Sequence, residues 1–301
     1  MPNQKNEPQH IPVLVQEVLN CLAAQPGQSY LDLTAGYGGH AAAIVQVTKS
    51  PQRAVLVDRD AQALRALKAR FGDKAVSIIQ SDFLSALSKL ASEGRQFDMV
   101  LADLGLSSPH LDQAQRGFSF QTSGPLDMRM DQRQAMTADH LVNRATEAEL
   151  TAVLSRYGEE PRARAIARAI TLNRPISNTE QLAAIIAKAA GLKGRLAKIH
   201  PATKTFQAIR IAVNDELAQL EQSLPLMLEV LAPGGRLAII SFHSLEDRLV
   251  KQFLAEHAGN TYDAQLTILT KKPITASRDE IVLNPRARSA KLRAAAKIKT
   301  N

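Results

Sequence analysis

The residues best suited to chemistry gather in the stretch Tyr30 to Ala43, YLDLTAGYGGHAAA, and in the acid that follows it at Asp58. An apolar run from Tyr30 to Thr34 leads into a glycine turn, Gly36, Gly38 and Gly39, where a helix-forming segment begins. The next apolar run, Ala54 to Val57, ends in Asp58, twenty residues beyond Gly38. Strand, glycine turn, helix, strand and acid is the layout by which a doubly wound α/β sheet holds a nucleoside. The glycines let the backbone approach the ligand, and the acid accepts hydrogen bonds from ribose hydroxyls. Gly36-x-Gly38-x-x-Ala41 also fits the dinucleotide fingerprint with alanine in third place, so a nicotinamide oxidoreductase is one reading.

Three features favour S-adenosylmethionine over a dinucleotide. Asp32 stands just before the glycines, where it can face the cationic amino-acid end of that molecule. Asp82 closes the third expected strand, where an adenine amino group lies in a methyltransferase. The fourth strand ends in Asp103 and is followed by Ser107-Ser108-Pro109 and His110. SSPH resembles the (D/N/S)PPY box of enzymes that methylate exocyclic amines of bases. Such an amine is a poor nucleophile because its lone pair is delocalised into the ring. Acceptors on its N–H bonds draw the nitrogen toward tetrahedral geometry and aim the lone pair at the methyl group, which is catalysis by positioning. A plain turn is the competing reading of Ser-Ser-Pro.

The elements that must position these groups follow from hydrophobic periodicity. Residues 1–9 are polar, and Val13 to Leu22 has helical spacing that suits packing against a sheet edge. Strands are expected at Tyr30–Thr34, Ala54–Asp58, Val76–Gln80 and Asp98–Asp103, with helices between them, which implies a parallel sheet with right-handed crossovers. The rhythm breaks in a long loop from Leu104 to about Arg133. Thr137 to about Ala190 is Ala- and Leu-rich and reads as a helical insertion, with a capping box at Thr146-x-x-Glu149 and Pro161 suited to a first helical turn. A long helix, Phe206 to Leu231, is expected to return the chain to the sheet, with Ala232-Pro233-Gly234-Gly235 as its stop and Arg236–Phe242 as the fifth strand. A helix from Leu245 to His257 and strands near Gln265–Thr270 and Glu280–Leu283 complete the expectation.

A net charge of +8 favours a polyanionic partner, and its placement says more than its total. The tail from Asn284 to Asn301 carries Arg286, Arg288, Lys291, Arg293, Lys297 and Lys299 with no acid. Gln181 to Asn214 carries Lys188, Lys193, Arg195, Lys198, Lys204 and Arg210, also with none. One such run is ordinarily a solvated face, whereas two in one chain favour a nucleic acid, with Arg286, Arg288, Lys291 and Arg293 meeting phosphate. Cys21 is the only cysteine, which leaves no disulfide framework and no cysteine metal site, and no metal site is expected. No apolar run approaches bilayer length and the first ten residues lack a signal-peptide core, so a cytoplasmic protein with no membrane partner is expected.

Eight segments in order carry a resemblance to the RsmH (MraW) family, S-adenosylmethionine-dependent methyltransferases acting on the N4 amine of a cytosine in 16S ribosomal RNA. They are HIPVLVQEVL (His10 to Leu19), DLTAGYGGH (Asp32 to His40), DLGLSSPHLD (Asp103 to Asp112), RGFSF (Arg116 to Phe120), GPLDMRMD (Gly124 to Asp131), KTFQAIRIAVNDEL (Lys204 to Leu217), ISFHSLEDRLVKQF (Ile240 to Phe253) and NPRARSAKLR (Asn284 to Arg293). The resemblance implies a Rossmann-like class I methyltransferase domain, residues 1–112 and 206–301, with an inserted region, 113–205, for RNA recognition. It implies a target cytosine in the P site of the small ribosomal subunit. It places the cofactor against Gly38, Gly39, His40, Asp58, Phe83, Asp103 and His110, with Asp58 on the ribose and Phe83 against the adenine. His110 stands where the family usually has glutamine, which would make that contact pH-dependent. Ser108 and Pro109 are the residues expected to position the amine.

Three further readings stay open at this level. Phe118 and Phe120 either stack on a splayed-out base or anchor the long loop on the body. His243 lies past the end of the fifth strand, where ligands collect in open α/β sheets, while Glu246 and Asp247 read as acids in the first turn of a capped helix. The chain as a whole is an RNA methyltransferase, a dehydrogenase, or a ribosome-assembly factor that retains a methyltransferase fold. Monomer and homodimer are both compatible with it.

Overall fold

A computed structural model describes residues 12–72, 75–105, 113–195, 200–259 and 264–298. Apolar strand runs alternate with helices through the first third of the chain. The strands are β1 (Tyr30–Asp32), β2 (Ala54–Asp58), β3 (Ser77–Gln80) and β4 (Phe97–Asp103), and the helices are α1 (Val15–Leu22), α2 (Gly39–Thr48), α3 (Ala61–Phe71) and α4 (Phe83–Ser92). Runs such as AVLVD and MVLAD, apolar on both faces, suit strands covered by helices on both sides. The sheet order is β3-β2-β1-β4-β5-β8-β6, with β5 at Leu231–Ser241, β6 at Leu266–Ile268 and β8 at Lys291–Lys297; β7 (Ile274–Thr275) also pairs with β8. Strands β1 to β5 run parallel to one another, and β8 is antiparallel to β5, β6 and β7. This is a Rossmann-like α/β sheet of the class I methyltransferase kind. Its order reverses between β1 and β4, where open sheets of this type bind ligands.

Contacts divide the chain into two compact units, residues 1–105 with 218–301, and residues 106–217. The first holds the sheet, with an apolar cluster on each face. One contains Leu31, Val57, Val100 and Phe253, and the other contains Tyr30, Leu56, Met99 and Leu101. The alternation of Tyr30 and Leu31 between the clusters is the period of two of a strand. The second unit is helical: α5 (Ala138–Arg144), α6 (Glu147–Gly158), α7 (Ala163–Leu172), α8 (Thr179–Arg195) and α9 (Ala202–Asn214). Its cluster runs from Phe118, Met128 and Met130 to Ile170, Ile186, Phe206 and Ile209. The expected capping box forms, with Thr146 Oγ1 accepting from Glu149 N and Thr146 N donating to Glu149 Oε2. Pro161 lies just ahead of α7 rather than in its first turn.

Several sequence expectations are corrected. The single helix at Phe206–Leu231 is two, α9 and α10 (Glu216–Glu229), parted at Asp215 in the left-handed region with φ 51°. Helix α9 packs with the inserted helices. Residues 280–283 are not a strand but part of α12 (Arg278–Leu283), opened by Ser277 accepting from Glu280 N at 3.1 Å. Helix α1 packs over β5 and β8 and not at an edge, because β8 and β6 extend the sheet beyond β5. Strand β8, KLRAAAK, goes unseen because it has no β-branched residue and is rich in helix formers; lodging between β5 and β6 is what makes it a strand.

That strand also changes the reading of the basic tail. Arg293 is buried, and its Nε donates to Asp247 Oδ1 at 2.7 Å, while Lys291 Nζ reaches Asp247 Oδ2 at 3.4 Å. Lys297 Nζ donates to the carbonyls of Leu228 and Leu231 at 2.8 and 2.7 Å. Three of the tail's cations therefore tie strands and helices together rather than waiting for phosphate, while Arg286 and Arg288 remain exposed. Asp247 sits in the first turn of α11 (Ser244–His257), where burial raises its pKa but Arg293 and Lys291 outweigh that and hold it below the ordinary value. Removing one partner of a buried pair strands the other charge. Asp247→Ala is therefore expected to lower unfolding free energy by about 3 kcal/mol, read as the urea midpoint. Arg288→Ala, at an exposed site, should stay within about 0.5 kcal/mol of the parent chain.

Candidate active site

The glycine turn is built as much by packing as for ligand approach. Gly38 caps α2 at φ 77°, and a Cβ there would meet Leu67 and Phe71 of α3 at 2.9 Å. A Cβ on Gly39 would lie 2.7 Å from the Pro12 ring. Asp58, at the end of β2, grips the turn directly: its Oδ2 accepts from Gly36 N and its Oδ1 from Asp60 N, both at 2.8 Å. The ends of β1 and β4 are joined in the same way, with Asp103 N donating to Thr34 Oγ1 at 2.6 Å.

Behind this edge lies a cluster of buried ionisable groups. Asp32, on β1, is 1% exposed; its Oδ2 accepts from the Tyr30 hydroxyl at 2.7 Å and its Oδ1 from Thr34 N at 3.2 Å. His40, in the first turn of α2, is 6% exposed and stands 3.6 Å from Asp103 Oδ2, an ion-pair distance too long for a hydrogen bond. Among the described residues, neither ring nitrogen of His40 and not the Oδ1 of Asp103 has a hydrogen-bond partner. Burial pushes the Asp32 carboxyl up to about 6, against the Tyr30 hydroxyl and the His40 charge, which favour ionisation. For His40, burial would lower the pKa, but Asp103, Asp32 and Glu280 outweigh it and hold the imidazole above its ordinary value. Tyr30 is raised well above the ordinary phenol, by burial first and then by Asp32. Two carboxylates on adjacent strands with one imidazole between them leave the cluster short of positive charge whenever both acids are ionised. Such a site suits a cationic ligand.

Of the residues singled out from the sequence, Gly38, Gly39, His40, Asp58 and Asp103 come together at the carboxyl ends of β1, β2 and β4. Phe83 opens α4 beyond β3 with its ring in the core, 9% exposed. Asp82 caps α4 by accepting from Ser85 N at 2.8 Å. Ser108, Pro109 and His110 lie outside the described residues. His243 and Glu246 form a capping box on α11, and Glu246 Oε2 also accepts from Phe242 N at 2.8 Å, so the acid serves the helix end as expected. Phe118 is buried in the helical unit, and Phe120 meets Phe206 edge-on at 4.9 Å and His200 at 4.7 Å, which makes both rings loop anchors. In the same unit, Arg210 is paired with Glu216 at 2.8 Å and Lys204 Nζ donates to Glu159 O at 3.0 Å, which takes two cations from the basic stretch 181–214. Tyr30 and Thr34 escaped notice, although the Tyr-x-Asp-x-Thr spacing on a strand puts all three side chains on one face.

A family model described as the MraW methylase family matches residues 7–298. A protein of Cyanothece sp. named ribosomal RNA small subunit methyltransferase H is 51% identical over 292 residues, covering 96% of this chain and 95% of that protein. Proteins of the same name from Trichormus variabilis and Heliobacterium modesticaldum are 50% and 46% identical, each over 96% of this chain and over 92% and 99% of their own lengths.

The buried acid has a consequence for stability. Its folded pKa of about 6 lies above the unfolded value of 3.8, so the folded chain holds the proton more tightly and loses stability as pH rises between those values. Asparagine at this position cannot ionise. Relative to the parent chain, Asp32→Asn is expected to gain roughly 2–3 kcal/mol as pH rises from 4 to 7, measured by urea unfolding at each pH. A difference that does not vary with pH would contradict the placement of this carboxylate.

Proposed function

The chain belongs to the MraW methylase family, and on that premise we propose that it methylates the exocyclic N4 amine of a P-site cytosine in 16S ribosomal RNA of the small subunit, with S-adenosylmethionine as donor. The observation that carries this reading is the extent of the likeness, which spans 96% of the chain and so takes in both compact units. A methylase family leaves the nicotinamide reading of the glycine fingerprint without support. The donor supplies an electrophilic methyl group on a sulfonium, and it also carries an ammonium. The anionic cluster of Asp32 and Asp103, in which Asp103 Oδ1 has no hydrogen-bond partner among the described residues, fits those positive charges.

The chain's own residues divide the work. Asp32 and Asp103 favour the cationic end, and His40 stands beside Asp103 in the first turn of α2. Asp58 holds the ribose hydroxyls; a carboxylate can accept about four hydrogen bonds, so gripping the glycine turn and holding a diol are compatible. Gly38 and Gly39 shape the turn, and Phe83, at the head of α4, borders the adenine side. Ser108 and Pro109 orient the acceptor amine, with its lone pair toward the methyl group, and His110 completes the contacts after β4. No strong base is required, because orientation of the lone pair is what the reaction lacks in water. The helical unit, 106–217, and the exposed basic residues Lys188, Arg286 and Arg288 supply RNA contact that depends on salt and not on base identity. Among the described residues no helix is long and apolar enough to cross a membrane.

Purified protein is expected to move a labelled methyl group from S-adenosylmethionine onto 16S RNA in small-subunit particles. Asp58→Ala should raise the dissociation constant for the donor about tenfold or more, the worth of a charged hydrogen bond. Wild-type protein that binds the donor but leaves 16S RNA unlabelled in every assembly state would remove the substrate half of the proposal.

A further inference from the structure

Tyr30 has no part in the roles above, yet it makes the shortest side-chain contact to the most buried acid of the site. It lies two residues before Asp32 on β1, so both side chains share one face of the sheet. The ring is 1% exposed among Leu56, Met99 and Leu101, and phenylalanine would fill that space equally well. The hydroxyl is what phenylalanine lacks, and it donates to Asp32 Oδ2 at 2.7 Å. A hydrogen bond to the ionised form of a buried carboxyl opposes the burial that would neutralise it.

We propose that Tyr30 is a positioning residue for the methyl donor, its hydroxyl keeping the Asp32 carboxylate ionised and aimed so that the donor's cationic end meets a charge and not a neutral acid. The proposal rests on the S-adenosylmethionine reading above. Tyr30 acts through Asp32 and does not itself touch the cation.

The groups facing Asp32 are Tyr30 on its own strand, His40 from α2 and Asp103 from β4, while Glu280 of α12 acts on His40. As pH rises, Asp32 gains negative charge and His40 loses positive charge, so both titrations favour a cation. Donor affinity should therefore climb through about pH 6. Losing the Tyr30 hydroxyl affects the carboxylate and shifts its share of that climb upward.

The test is calorimetric titration of S-adenosylmethionine into the full chain between pH 5 and pH 8, with Tyr30→Phe, Asp32→Asn and the double variant beside the wild type. Tyr30→Phe is expected to move the midpoint up by about one pH unit, so that affinity falls about fivefold near pH 6 and hardly at all at pH 8. In the Asp32→Asn background it should change nothing further. A loss that is the same at every pH, or that adds fully to that of Asp32→Asn, marks a packing role and overturns the proposal. Wild-type protein that fails to bind the donor at any pH overturns the functional reading instead. An independent reading uses the wild-type chain alone, with tyrosine labelled at the hydroxyl-bearing ring carbon. The Tyr30 resonance should follow the titration of Asp32 and shift when the donor binds; indifference to the donor would overturn the proposal even if Tyr30→Phe does not fold.

Discussion

The site depends on holding two carboxylates close together at the ends of neighbouring strands, Asp32 fully buried and Asp103 only partly exposed. Asp32 and Asp103 stand on the same face of β1 and β4, and the cation set against them is the imidazole of His40, 3.6 Å from Asp103. An uncompensated buried charge is expensive, and the chain answers with a tyrosine hydroxyl, a backbone amide and a histidine rather than with an arginine. A permanent arginine would satisfy the acids and abolish their attraction for a ligand. Weak, titratable partners leave the cluster ready for a cation. That readiness costs stability, in keeping with the rule that binding sites carry strain which a core would not.

The same economy shows in the glycine turn. Asp58 is a structural anchor, fastening Gly36 through its carboxylate, and the ribose contact proposed for it would use the acceptor capacity that remains. The glycines are required by the close approach of Pro12, Leu67 and Phe71. The proposed donor site and the local fold therefore share the same residues.

Much of this was legible in the sequence. The alternation of apolar strands and helices, the glycine turn and the acid after β2 each follow from local pattern, and β2 and α3 fall on the expected residues. The helical insertion was visible in its Ala- and Leu-rich composition and in the Thr146 capping box. What escaped depends on partners distant in sequence. KLRAAAK is a strand because of its neighbours β5 and β6, and Arg293 is structural because Asp247, forty-six residues earlier, receives it. The break at Asp215 is a single left-handed residue within a helical pattern, and no breaker marks it. Tyr30 reads as the start of an apolar strand, and although period-two spacing puts it on the face of Asp32, the hydrogen bond between them is visible only in the folded chain.

The identity of the methylated atom is the claim on which the account finally stands, and mass spectrometry of 16S RNA from cells with and without this protein tests it most directly. The account predicts N4-methylcytidine at one P-site cytosine in the presence of the protein and its loss, with no other modification changed, in its absence. An unchanged N4-methylcytidine content in cells lacking the protein would contradict it.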